Sequence, residues 1–366
     1  MPMDVAKTKK FKFEIIQIFR GIAALVVVLH HISAANSFYF HSVTLNDIFS
    51  VGWSGVDFFF VLSGFIITYA HAKDMGHVKK VKPYLLKRAI RIYPTYWIFA
   101  LLAICFYLKV NHYSIRETTY LMKSFFLINQ NQEPVLRVAW SLIYEVSFYV
   151  LFAVYILLGF KWFVAGLMVH ILLILTNVVA PSFLMGIPVI GFLSTNYNLL
   201  FVFGCITGLF VVKFSIENIK KYKALLWIGG TIGFLFSWKL SLTTVVFSKF
   251  SFNSRLLYGL SSCCLIIGAI CFRKFNRSQF FTFWLRLGDA SYVLYLCHIL
   301  IIAFLYKIYS AFSANHVFLK SLSFLYSFNL IVLLVCVIAA LMFYSLIDKR
   351  ITYKLNSVFV NKLNWL

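Results

Sequence analysis

Charged residues are scarce in this sequence: Asp, Glu, Lys and Arg supply 12% of its 366 residues, against roughly 25% in a typical soluble domain. A chain with so little charge cannot clothe a solvated globular surface. Strict period-two alternation, the mark of an outer-membrane barrel, is also missing from the apolar runs. Among Cys105, Cys205, Cys263, Cys264, Cys271, Cys297 and Cys336 there is no C-x-x-C pair and no cluster outside those runs. Neither a disulfide framework nor a zinc site is therefore expected, and no metal. The longest stretch between apolar runs, residues 109–137, is too short for a separate soluble domain. No repeat of fixed period occurs, which counts against a transporter assembled from duplicated halves.

What is present is apolar: 62% of the residues are hydrophobic and 19% of all residues aromatic, in runs near the roughly 20 residues that cross a bilayer as helix. The expected fold is an all-α polytopic integral membrane protein of about ten transmembrane helices. They fall near residues 16–34, 53–72, 92–108, 138–158, 162–178, 196–212, 224–240, 256–272, 288–306 and 324–347. The chain reads as one membrane domain, 1–366, with spans over about 14–348 and a short tail at 349–366.

A net charge of +23 would suggest nucleic acid in a soluble protein. No nucleic-acid module is present, and none is expected as a partner. With the N-terminus inside, 25 of the 34 Lys and Arg fall in segments on the cytoplasmic side and 9 on the other. That asymmetry predicts cytoplasmic termini and a lipid bilayer as the surrounding medium. The basic start, short apolar run and small residues Ser33, Ala34 and Ala35 also fit a cleavable signal peptide. Between spans, YLMKSFFLI predicts a short amphipathic helix along the surface, and residues 181–196, uncharged with two prolines, read as a re-entrant or surface-dipping loop.

Polar groups inside the apolar runs are costly and need a reason. In the first span Arg20 and His31 are eleven residues apart. At 100° per residue they lie within about 20° of one face and about 16 Å apart along the axis, whereas His30 is about 80° off the arginine. The second span holds Asp57 among aromatic residues, with Gly52, Gly55 and Gly64 permitting close helix approach. Asp57 is expected to pair with a histidine in a structural role. On the cytoplasmic side, just before the third, Arg88 and Arg91 share a helical face, with Pro94 just inside the span, a fork suited to phosphate that Arg20 joins at the same level.

The fourth span opens with WSLIYEVSFY, in which Trp140, Tyr144 and Ser147 follow helical spacing and Ser141, Glu145 and Tyr149 form an i, i+4, i+8 stripe. A buried carboxylate with a histidine suits proton transfer. In the ninth, LGDASYVLYLCHILII, Ser291, Tyr295 and His298 occupy one face, either as hydrogen-bonded glue between helices or as substrate contacts.

Five motifs, FRGIAALVVVLHH, GVDFFFVLSGFII, KRAIRIYPTYW, WSLIYEVSFY and GDASYVLYLCH, stand in the order and spacing of one family. The chain resembles the membrane acyltransferase-3 family, whose members O-acylate carbohydrates of the bacterial envelope. The resemblance implies an enzyme of the bacterial cytoplasmic membrane that moves an acyl group, usually acetyl, from cytoplasmic acyl-CoA to a hydroxyl of an exopolysaccharide, lipopolysaccharide or capsule sugar. It also implies no permanently bound cofactor, with acetyl-CoA as donor substrate. The acceptor would be free or lipid-linked carbohydrate, and glycan-assembly proteins are candidate partners. No fused extracytoplasmic hydrolase-like domain is expected.

By the resemblance, Arg20, Arg88 and Arg91 bind donor, and His31 and Glu145 are catalytic. His31 acts as general base or carries the acyl group, and Glu145 orients or charge-balances it. Asp57, Trp140, Ser141, Tyr149, Ser291, Tyr292, Tyr295 and His298 support the site or bind acceptor. Tyr295 or Ser291 would hydrogen-bond the oxyanion or the sugar. The same buried charges also fit a transporter or flippase for a lipid-linked or anionic glycan, or a non-catalytic scaffold.

Overall fold

The computed structural model describes residues 13–40, 46–111, 118–130, 132–185, 187–214, 216–272, 278–313 and 321–360. Residues 1–12, Arg116, Arg273, Lys274, Arg277, Lys320 and Lys362, all counted in the charge asymmetry, lie outside them. Among the described residues, ten helices are long and apolar enough to cross a membrane. We label them α1 (Glu14–Phe40), α2 (Ser54–His71), α3 (Val81–Asn111), α4 (Trp140–Leu158), α5 (Phe160–Val179), α6 (Asn196–Lys213), α7 (Lys223–Thr243), α8 (Phe252–Ile270), α9 (Ser291–Ser313) and α10 (Leu322–Phe343). Among the described residues there is no strand. The protein is an all-α polytopic membrane protein.

Helix bounds depart from the runs expected from hydropathy at α3, α9 and after α10, each for a local reason. The basic stretch KPYLLKRAIRI continues α3 backward to Val81, with Pro94 accommodated inside. A short helix, Gln279–Asp289, stops at Ala290, so α9 starts at Ser291. Beyond α10 the backbone stays helical to Val360 through two π-helical turns, Tyr344–Asp348 and Asn356–Val360, so the helix runs on into the short tail expected from 349.

Small residues let these helices meet at their backbones, as packing between spans requires. A Cβ on Gly64 would stand 2.4 Å from Phe201 O, and one on Gly204 2.1 Å from Val61 O, so α2 and α6 touch main chain to main chain. Gly52 and Gly55 bring α2 equally close to Val26 and Ala23 of α1. The register of α9 against α1 is pinned by Tyr306, whose hydroxyl lies 2.9 Å from Asn36 Oδ1 and 2.7 Å from Asn329 Oδ1 of α10.

Two connecting segments differ from expectation. The predicted amphipathic helix forms at Thr118–Phe125 but tucks against α3, with Ser124 and Leu127 buried. Its last carbonyls would lack partners; Tyr96 OH donates to Ser124 O (2.6 Å), Trp97 Nε1 to Phe125 O (2.9 Å) and Tyr93 OH to Phe126 O (3.0 Å). Residues 181–196, read as a re-entrant or surface-dipping loop, contain two short helices, Pro181–Met185 and Pro188–Leu193. Each begins at a proline, where the missing N–H would have been unpaired in any case.

Candidate active site

The functional residues converge because α3 and α4 run antiparallel, so that Tyr84 packs on Phe152 and Arg88 on Tyr149 one turn further along. A cavity opens between these helices and α1, α2 and α9. Arg20, Arg88 and Arg91 line it together, as the shared face of the last two required. The stripe Ser141, Glu145 and Tyr149 forms another wall, and Ser291, Tyr292 and Tyr295 a third. Apolar side chains such as Phe60, Ile67 and Leu142 complete the enclosure. Arg91 is exposed, so the cavity is open on its side; Arg20 and Arg88 are half-buried.

Three guanidiniums face one carboxylate, an excess of positive charge that favours an anionic ligand. Glu145 is held rather than free: its Oε1 accepts from Ser63 Oγ at 2.8 Å and from the Tyr149 hydroxyl. Arg88 stacks over the rings of Tyr149 (5.4 Å) and Tyr84 (5.6 Å), and Arg20 Nη1 donates to Gln17 Oε1 at 3.1 Å. Tyr295 OH lies 2.8 Å from Val138 O and 2.7 Å from Ser141 Oγ. A carbonyl only accepts, so the tyrosine donates to it, and Ser141 Oγ, 3.3 Å from the same carbonyl, donates to it or to the tyrosine. Tyr292 OH donates to Ile92 O at 2.9 Å. Among the described residues, Ser291 Oγ and Arg88 Nε are buried without a hydrogen-bond partner, two donors left for a ligand in this cavity.

His31 and His298 are not part of that lining. The two rings meet each other instead, His298 Nε2 3.3 Å from His31 Nδ1, one turn of α9 beyond Tyr295. The expected His31–Glu145 pairing is therefore absent. Arg20 shares the cavity with Glu145, and His31, eleven residues further along α1, stands about 16 Å from Arg20 along the helix axis. His30 Nδ1 lies 3.2 Å from Phe49 O, at the end of the short helix Asn46–Phe49.

Asp57 pairs with an arginine, not a histidine. Arg255 Nη1 donates to Asp57 Oδ2 at 2.6 Å, and its Nη2 donates to Lys249 O. The guanidinium lies between the rings of Trp53 (4.7 Å) and Tyr197 (4.4 Å). The sequence offered a signal for it: Arg255 is the lone charge in α8, as Asp57 is in α2. Trp140 is also outside the cavity lining and packs on Phe60, Tyr144 and Tyr197. Two further residues escaped the sequence reading. Ser63 lies beside Gly64 in the second span and donates to Glu145, and Asp348 accepts from Thr95 Oγ1 in the first π-helical turn.

Comparison with curated proteins and with solved structures returns no match. The profile of the acyltransferase-3 family, described as an acyltransferase domain, matches residues 13–345, and the chain, a membrane acyltransferase, belongs to that family.

Proposed function

We propose that this acyltransferase moves an acyl group, most simply acetyl, from cytoplasmic acyl-CoA to a hydroxyl of a surface or secreted polysaccharide, in a bacterial cytoplasmic membrane. The observation that carries the reading is the cavity in which Arg20, Arg88 and Arg91 outnumber Glu145. Guanidiniums are matched to phosphate oxygens by their fork of donors, and the phosphates of a CoA thioester lie at the opposite end from its reactive carbonyl. The charge asymmetry of the sequence supports placing the termini in the cytoplasm.

In this reading His31 is the general base, about 16 Å along α1 from Arg20, and the phosphates and the thioester of one donor occupy the two levels. His31 takes the proton of the acceptor hydroxyl as that oxygen attacks the thioester carbonyl. The C–S bond then breaks, the proton passes to the departing thiolate, and the products are an ester and free CoA. Ser291, whose buried hydroxyl has no partner among the described residues, lines the cavity and can donate to the oxyanion, whereas Tyr295 gives its one hydrogen to Val138 O. Glu145 balances the arginine charge.

Purified protein with labelled acetyl-CoA and polysaccharide acceptor tests the reading. His31→Ala should lose on the order of 10²–10⁴ in rate with CoA still bound, the contribution typical of an acid/base group. His30→Ala should cost far less. Glutamine at position 31 keeps polarity but cannot shuttle a proton, so near-normal ester formation by His31→Gln rejects the base assignment.

A further inference from the structure

His31 is half-buried, whereas His298 behind it is fully enclosed at 0% exposure. Each ring has its Nδ1 beside the carbonyl four residues back on its own helix: His31 to Val27 O at 2.9 Å, His298 to Leu294 O at 3.0 Å. Carbonyl oxygens only accept, so both rings carry their proton on Nδ1. His298 Nε2 is then a lone pair, and it lies 3.3 Å from the Nδ1–H of His31. A directed chain results. His298 donates to Leu294 O, His31 donates both to Val27 O and to His298, and the Nε2 of His31 is left as a lone pair.

We infer that His298 is a positioning residue for His31, holding it as the Nδ1–H tautomer with Nε2 open to a proton and accepting its Nδ1–H as positive charge develops. The inference rests on the reading of His31 as base. When Nε2 takes the acceptor proton, His31 becomes an imidazolium whose second N–H already points at a lone pair. In serine-hydrolase triads a carboxylate fills this position; here the orienting group is a neutral imidazole. The other titratable groups facing the pair are His30, 5.1 Å ring to ring from His31, Lys249, which acts on His31 electrostatically, and Tyr295, 5.9 Å from the His298 ring. None of them is a carboxylate, so no anion competes with His298 for that proton.

Nitrogen-15 NMR of the full-length protein labelled at histidine and held in detergent tests the tautomer without any turnover, the His31 signal being assigned by its loss in His31→Gln. The expected result is a neutral His31 protonated at Nδ1. A His31 protonated at Nε2 overturns the inference. Activity supplies the second arm. His298→Gln places a carbonyl oxygen near the position of Nε2 and should retain most of kcat. His298→Leu should lose at least about 10-fold in kcat, within the span an acid/base group supplies, with KM for acyl-CoA unchanged and the acid limb of the pH–rate profile moved to lower pH. Equal losses in the two variants, or a leucine variant with the wild-type limb, overturn it. Should His31→Gln remain active, the base assignment fails by itself, and the tautomer measurement still decides the role of His298 in orienting the ring.

Discussion

The Arg255 guanidinium meets the Asp57 carboxylate at 2.6 Å, tying α8 to α2 across 198 residues of sequence with both side chains about 1% exposed. Two charges removed from water repay that cost only while they face each other. Arg255→Met should therefore destabilise the protein by about 3–5 kcal/mol, because Asp57 is left buried and unpaired. The double variant Asp57→Leu/Arg255→Met removes both charges and should be the more stable of the two. Thermal unfolding in detergent checks the order, and a double variant weaker than the single one would mean that the pair itself supplies the stability.

That pair also marks the limit of what the sequence conveyed. Ten spans were legible because each needs a long apolar run, and the glycines of GVDFFFVLSGF announced close packing. The stripe Ser141, Glu145, Tyr149 and the fork Arg88, Arg91 were legible because helical period alone puts them on one face. Period says nothing about which helix faces which. Asp57 was accordingly given a histidine, and His31 was given Glu145, although α8 carries the arginine and α9 the histidine that meet them. Partners between helices depend on tertiary packing, and a single sequence does not contain it in readable form.

Two glycines with opposite surroundings make a matched test. A Cβ on Gly288 would stand 1.9 Å from Gln17 O, where the helix Gln279–Asp289 abuts α1 beside Arg20. Backbone cannot yield as a flexible side chain does, so Gly288→Ala should cost at least about 1–3 kcal/mol through overpacking. It should also weaken CoA binding, since Gln17 accepts from Arg20. Gly229 of α7 has nothing within 4 Å of its Cβ position. Gly229→Ala should instead gain about 0.5–1 kcal/mol from helix propensity. Unfolding midpoints of the two variants should move in opposite directions, and CoA titration should show weaker binding for the Gly288 variant alone.

Glu145 separates charge balance from donor contact. If it serves as counter-charge to Arg20, Arg88 and Arg91, then Glu145→Gln removes the one anion among three cations and should tighten CoA binding while lowering turnover. A carboxylate that instead bound the donor directly would give weaker binding on replacement. Ser63→Ala removes one hydrogen bond to Oε1, a bond to a charged group worth about 1.5–3 kcal/mol, and leaves the charge in place. CoA affinity should then change little, with turnover reduced. Isothermal titration with CoA distinguishes the two variants.

Lys249, in the segment between α7 and α8, supplies a pH dependence whose sign can be worked out. Burial first, and the neighbouring Arg255 guanidinium second, hold its amine below its ordinary value of 10.5. Between the lowered value and the ordinary one, the unfolded chain binds more protons than the folded protein, so stability rises with pH across that window. Below the window the full penalty of burying an ammonium is present; above it the penalty is gone. Lys249→Met removes the charge without touching the Arg255 contact, because Arg255 bonds the backbone carbonyl of residue 249. The variant should unfold at a higher temperature than the wild type near neutral pH, and the gap should close as pH rises through the window to above 10.5, where the amine has lost its proton in both states. A gap that stays constant over that range would show that Lys249 is not held as a penalised ammonium.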